Sequence, residues 1–303
     1  MLDYHVHLWP HPEKADPLEL RLERLTVYCE NARSEGVTEI ALTEHFFRFR
    51  QGHDCVGDFW KDDPNPSFVS TMAAYFAHHA TADLDAYVEA ALAAKRAGLP
   101  VIIGLEVDYY AGQMDAVGAM LSGYPFDVLL GSVHWLGNWN FDLTRDAVSM
   151  AEWERRDVAD VWRAYTEALA ELAATRSCDV LAHPDFVKMA GYRPSPAAID
   201  ECHDRIAEAA ASSGMAAEIS SGGWRCPGNE EFPAPGLLNR FFRRGVPVTT
   251  ASDSHGPENV ASRSSELRKI ALGAGYTTLR AFRERRGLDH PIDDAKLARS
   301  TPE

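Results

Sequence analysis

The sequence predicts an α/β fold: a barrel of parallel strands, each followed by a helix. Seven short apolar runs alternate along the chain with longer segments of helical periodicity, and strands that are apolar throughout are those buried on both faces of a parallel sheet. The runs also end alike. Asp3-Tyr4-His5-Val6-His7 forms the first, and Glu44-His45, Glu106, His134, His183 and Asp253-x-His255 stand at or just beyond the ends of others. A barrel collects chemistry at its C-terminal strand ends from many strands, whereas the alternative, a doubly wound open sheet, would draw on fewer. A chain of 303 residues suits one such domain.

The elements follow in order. A first strand, 2–7, meets the Pro-broken loop Trp9-Pro10-His11-Pro12. Leu18, Leu22, Leu25, Val27 and Cys29 have helical spacing over 16–33, with Gly36 as the stop. Val37 to Thr43 is the second strand. Residues 46–70 carry no period and are rich in aromatics, Gly, Pro and Asp, which predicts an inserted loop acting as a lid or binding loop. One long helix is expected over 72–97, ended by Gly98 and Pro100, and then a strand over 101–106. A helix over 112–121, a strand from 126 into Gly131-Ser132-Val133-His134, an aromatic loop from Trp135 to Phe141 and a long helix over 151–175 follow. Strands at 179–182, 215–219 and 246–250, with helices at 197–211 and 236–244, complete the seven units. The barrel is thus assigned to 1–275, and 276–303 to a C-terminal helix (Thr277 to Arg286) and tail packed outside it.

Composition narrows the function classes. A net charge of −15 opposes a general nucleic-acid surface, which needs clustered Lys and Arg, so anion binding must rely on local cations. No apolar run approaches the ~18 residues of a membrane span. The five cysteines, Cys29, Cys55, Cys178, Cys202 and Cys226, are odd in number and form no CxxC pair, which fits a reducing cytoplasm better than a disulfide framework. The expectation is a soluble cytoplasmic protein whose partner is a small molecule, neither nucleic acid nor membrane, with a homo-oligomer compatible.

The strand-end residues share one chemistry. Histidines at i and i+2 of a strand project to the same side, so His5 and His7 can aim at one point. Seven of the twelve histidines, His5, His7, His11, His45, His134, His183 and His255, lie in or just after these tipped segments. Imidazoles and carboxylates without cysteine suit Zn²⁺, Mn²⁺ or Fe²⁺. With Glu106 and Asp253 they exceed one tetrahedral shell, so two to three divalent ions are expected, with Glu106 placed to bridge. Adjacent metals acidify water and neutralise phosphoryl charge, which favours phosphate-ester hydrolysis. Amide or amine hydrolysis is the competing reading, although the bridging lysine usual in amidohydrolases has no counterpart at a strand end.

The ordered set Asp3-x-His5-x-His7, Glu44-His45, Glu106, His134, His183 and Asp253-x-His255 resembles the PHP superfamily, named for polymerase and histidinol phosphatase. GSVHWLGNWNFD (131–142), AHPDFVK (182–188), EISSGGWRCPGNEEFPAPGLL (218–238) and GVPVTTASDSH (245–255) are similar to its histidinol-phosphatase branch. The resemblance implies a distorted, TIM-like, seven-stranded barrel with a trinuclear centre. One metal would take His5, His7, Glu106 and Asp253, a second Glu106, His134 and His183, and a third His11, His45 and His255. His11 stands closer to His7 than the family pattern leads one to expect, which leaves Glu13 or water as the alternative ligand. Arg225 matches the branch's phosphate-binding arginine, and Lys188 is a second candidate for that task. Glu106, Asp253 and His255 would share the catalytic work with Arg225. Glu44, Glu218 and Asp185 could orient ligands, and Trp135 could wall the substrate pocket. The activity implied is metal-dependent hydrolysis of L-histidinol phosphate by a metal-activated hydroxide, in histidine biosynthesis. The alternatives are another small phosphate ester or a non-catalytic module of the same superfamily.

Overall fold

The computed structural model describes residues 1–292. The first half runs β1 (Leu2–Val6), α1 (Leu22–Ser34), β2 (Glu39–Leu42), α2 (Arg50–Val56), α3 (Pro66–His79), α4 (Leu84–Arg96), β3 (Val101–Asp108), α5 (Met114–Leu121) and β4 (Val128–Ser132). A small hairpin, β5 (Trp135–Leu136) and β6 (Trp139–Asn140), precedes α6 (Ala147–Arg155), α7 (Val158–Thr175), β7 (Val180–Leu181), α8 (Pro196–Ser213), β8 (Ala216–Ser220), α9 (Pro235–Arg243), β9 (Val248–Ala251) and α10 (Ser264–Gly273). A second hairpin, β10 (Thr278–Arg283) and β11 (Arg286–Pro291), ends the described chain.

Seven parallel strands lie in the order β1-β2-β3-β4-β7-β8-β9. The two edges nearly close on each other: the His7 N–H donates to the Ser254 carbonyl at 2.8 Å, and the Thr250 hydroxyl donates to the Leu2 carbonyl at 2.6 Å. Helices pack outside, as the apolar strands require. The expected α/β barrel is the fold observed.

Within that frame several expected boundaries are corrected. The aperiodic segment 46–70 is not one loop, because Phe46, Phe47, Phe49 and Trp60 are buried and α2 and the start of α3 lie inside it. Pro66, inside that segment, occupies the first turn of α3, behind an Asn65 cap that accepts from the Ser67 N–H. The long helix expected over 72–97 is two helices. Between them Ala82 exchanges backbone hydrogen bonds of 3.0 Å with Arg48 and Arg50, and Asp83 caps α4 by accepting from the Asp85 and Ala86 N–H groups. The helix expected over 151–175 likewise breaks, with Asp157 capping α7.

The C-terminal helix expected over 277–286 is the β10–β11 hairpin. Its turn residues Glu284 and Arg285 both have positive φ, 48° and 63°, the twist that two-residue hairpins favour. Tertiary contacts override the helix propensity of Arg and Glu here. Phe282 donates its N–H to the Tyr4 hydroxyl at 3.0 Å, Arg285 donates its N–H to the Asp127 carbonyl at 2.8 Å, and Arg283 and Arg285 pair with Glu39 and Asp179. Leu279, Ala281 and Phe282 join Leu2, Tyr4 and Ile102 in a core cluster, so the hairpin seals the N-terminal mouth of the barrel. The expected tail beyond it, 293–303, lies outside the described residues.

Candidate metal centre

At the opposite, C-terminal mouth, six strands deliver side chains to one point. The fully buried Glu106, near the end of β3, is the hub. Its Oε2 lies 3.4 Å from His5 Nε2, 3.6 Å from His7 Nε2 and 2.6 Å from His45 Nδ1. Its Oε1 lies 3.0 Å from His183 Nε2 and 3.6 Å from His134 Nε2. Asp253, just past β9, brings Oδ1 to 3.8 and 3.5 Å from the Nε2 atoms of His5 and His7. The His255 ring lies 4.2 Å from that of His7, and His11 sets its Nε2 3.1 Å from His45 Nε2. Thus His5, His7, His11, His45, Glu106, His134, His183, Asp253 and His255 are all brought together. Glu13 is not. Its side chain is exposed, and only its backbone carbonyl turns inward, to Arg48 at 2.9 Å.

The donor set fits divalent cations. Nε2 of His5, His7 and His255, Nδ1 of His45 and Oε2 of Glu106 are buried with no hydrogen-bond partner, a state that native structures rarely leave unexplained. His45 Nδ1 and Glu106 Oε2 approach to 2.6 Å without hydrogen-bond alignment, as two donors aimed at a common cation would. Three groupings, His7/His45/His255, His5/His7/Glu106 and His45/Glu106/His134, each bring ligand atoms within 4.8 Å of one another.

Carboxylates behind the imidazoles set their orientation. Glu218 accepts from His5 Nδ1 at 2.9 Å, Asp108 from His134 Nδ1 at 2.6 Å, and Glu44 lies 3.4 Å from His7 Nδ1. Each contact turns an Nε2 toward Glu106, the usual way a metal-binding histidine is held. Burial acts to raise Glu44, but His7, Arg48 and the His45 N–H outweigh it and hold the carboxyl at about 2. Burial acts to lower His134, yet Asp108 and Glu106 push it up to about 10. The carboxylates thus favour positive charge at His5, His7 and His134, whereas burial beside other imidazoles pushes His11, His45 and His255 down.

Sequence reasoning missed Arg48. It is fully buried, with Nε 3.3 Å from Glu44 Oε1 and its guanidinium donating to the carbonyls of Trp9, Pro10 and Glu13. It thereby fixes the loop that carries His11. Its i, i+4 spacing from Glu44 was the available signal. Asp3 is not aimed at the cluster: it accepts from the Ser252 N–H, the Ser252 hydroxyl and the Ala261 N–H, tying β1 to the segment after β9.

The remaining candidates fall in different places. Arg225 sits in a short turn after β8 and donates to the carbonyls of Ser252 (2.7 Å) and Asp253 (2.5 Å) and to the Ser262 hydroxyl (3.2 Å). Gly222 lets that turn approach, because a Cβ there would stand 2.5 Å from Asp253 Oδ2. Lys188 is buried, held by Asp185 at 2.9 Å and the Glu231 carbonyl at 2.7 Å, with its ammonium 5.3 Å from the Phe232 ring. The buried Asp185 meets Lys188 and the Ala234 N–H instead of a histidine. Trp135 stands at the cluster's edge, 6.1 Å ring to ring from His134, packed on Phe47 and Tyr110.

The fold and this cluster define a β/α barrel that binds divalent metal at its C-terminal mouth. The chain belongs to the PHP domain family, whose profile matches residues 22–222. A protein of Deinococcus radiodurans with the provisional name histidinol-phosphatase is 28% identical over 260 residues, 86% of this chain and 90% of that one. A Lactococcus lactis histidinol phosphate phosphatase, solved with zinc, L-histidinol and phosphate, superposes with a TM-score of 0.61 at 21% identity, covering 95% of this chain and 98% of its own. A Listeria monocytogenes structure named as a candidate histidinol phosphatase gives 0.69 at 18% identity, covering 88% and 99%. Among the described residues no helix is long and apolar enough to cross a membrane.

Proposed function

We propose that the protein is a metal-dependent phosphomonoesterase that hydrolyses L-histidinol phosphate to L-histidinol and phosphate. The observation that carries the reading is Glu106, whose two oxygens face different imidazole sets. That arrangement supports two to three divalent ions, zinc, manganese or iron. His5, His7, Glu106 and Asp253 would hold one, Glu106, His134 and His183 a second, and His11, His45 and His255 a third. Such a centre supplies a water acidified toward neutral pH and neutralises phosphoryl charge.

The chain's own residues do the rest. Arg225 makes three hydrogen bonds to protein atoms, and a guanidinium has about five N–H donors, so donors remain for phosphoryl oxygens beside Asp253. The Nε–H and the second Nη1–H would hold phosphoryl oxygens and stabilise charge developing in the transition state. Trp135, apolar and at the edge of the cluster, would wall the organic part of the substrate. The names of the Deinococcus relative and the Lactococcus structure support histidinol phosphate over other esters.

The test is phosphate release from L-histidinol phosphate beside other phosphomonoesters and diesters, with Mn²⁺, Zn²⁺ or Fe²⁺ supplied. A strong preference for histidinol phosphate, abolished by a chelator and by His134→Ala, is the expected result. Release only from other esters would overturn the substrate, and no release from any ester by metal-loaded protein would overturn the activity.

A further inference from the structure

At the sealed end of the barrel, the C-terminal hairpin and the turns after α7 and α8 frame a cleft of about 290 Å³, half open to solvent. Arg176, Arg280 and Arg285 line it, against a single acid, Asp179. In a chain of net charge −15, three guanidiniums facing one small space are an exception to the general balance.

The three are unequally engaged. Arg285 is committed, its Nε paired with Asp179 and its Nη2 donating to the Ser177 carbonyl at 2.8 Å. Arg176 makes one long bond, Nη2 to the Ser212 carbonyl at 3.4 Å, from a backbone held at φ 53°. Arg280 has Nη2 3.3 Å from Asp289 Oδ1, a largely exposed carboxylate, while its Nε is buried with no partner. Helix carbonyl ends near the cleft oppose an anion, but by only about half an elementary charge each. One of them, Ser212 in the last turn of α8, is already met by Arg176.

We propose that this cleft is a binding site for a small oxyanion, the phosphate or carboxylate group of a small molecule, held by Arg176 and Arg280 with Arg285 fixed behind them. Guanidinium forks match carboxylate and phosphate geometry with paired hydrogen bonds. The site lies at the other mouth of the barrel from the metal centre and shares no residue with it. A bound anion would tie the hairpin to the turns after α7 and α8. It would also bear on the foot of β4, because Asp179 accepts from the Leu129 N–H at 2.8 Å.

The experiment is calorimetric titration of the metal-loaded protein with inorganic phosphate and, separately, succinate. Phosphate should show two classes of site, one at the metal centre and one here. Arg280→Gln should weaken the second class by about tenfold or more, the loss of one charge-assisted hydrogen bond, while leaving kcat/KM unchanged. Asp289→Asn, which releases Arg280 from its competitor, should tighten that class, an effect that a merely structural arginine would not produce. Succinate binding that responds to the same two substitutions identifies a site open to carboxylates, and binding of phosphate alone restricts it to phosphate. Isotherms for both probes that neither substitution alters overturn the proposal. If Arg280→Gln does not fold, Asp289→Asn alone decides.

Discussion

Replacing Glu218 by glutamine tests whether the carboxylates behind the imidazoles govern metal binding. Glu218 is fully buried and accepts two hydrogen bonds, from His5 Nδ1 at 2.9 Å and from the His183 backbone N–H at 3.0 Å. A glutamine side chain is nearly isosteric but has one oxygen. The backbone N–H of His183 can only donate, so the amide oxygen must turn to it, and the amide NH₂ then faces His5 Nδ1. That nitrogen can accept only if the imidazole proton moves to Nε2, the atom 3.4 Å from Glu106 Oε2 that the metal needs. The wrong tautomer becomes the stable one. Loss of such a supporting partner costs about 10- to 100-fold in metal affinity or activity, or about 1.4–2.8 kcal/mol at 1.4 kcal/mol per decade. Competitive Zn²⁺ titration of Glu218→Gln against wild type, with circular dichroism to show an unchanged fold, measures it. Affinity within twofold of wild type would refute the tautomer argument.

Other residues give sharper tests of packing. Arg48→Met leaves Glu44 buried without its cation and should cost about 3–5 kcal/mol in urea denaturation, together with weaker metal binding because the His11 loop loses its anchor. Tyr4→Phe removes the buried acceptor of the Phe282 N–H; a loss of about 1–3 kcal/mol is expected, with catalysis retained. Metal removal by chelator should lower the melting temperature by roughly 6 °C for each ion lost, taking about 4 kcal/mol for an ion present at ~1,000 times its Kd. Asp83→Ala should cost about 1 kcal/mol through the lost α4 cap. The Ala86 N–H, with Gln51 and Arg50, holds Asp83 below the usual carboxylate range. That contribution is therefore present above about pH 4 and lost as the pH falls, so the two proteins should converge in stability in acid.

The alternation of strands and helices was legible because each parallel strand is buried on both faces and must be apolar along its length, whatever its partners. What lies outside the barrel was less so. The break between α3 and α4 depends on Ala82 bonding to Arg48 and Arg50, residues about thirty positions earlier. The final hairpin depends on acceptors offered by Tyr4 and Asp127. Neither Arg, Glu nor Ala carries a local mark of such distant pairing, and helix propensity then misleads. Asn65-Pro66 shows a smaller failure of the same kind, since Pro ends one helix and begins another with equal ease, and only the cap tells which.

The metal centre was legible for a different reason. Imidazoles and carboxylates at strand ends are rare unless something holds them there, so residue type and position together pointed to ligands. Their supporting carboxylates were visible only by name. Glu44, Glu218 and Asp185 look alike in sequence, yet the first two stand behind histidines, while Asp185 pairs with Lys188. Arg48 explains why the distinction matters. Glu44, buried beneath the cluster, accepts from the Leu8, Trp9 and His45 N–H groups and meets Arg48 at 3.3 Å, and that guanidinium also grips the loop bearing His11. The short spacing from His7 to His11 is workable because that guanidinium bends Trp9, Pro10 and Glu13 around itself and delivers the imidazole to His45.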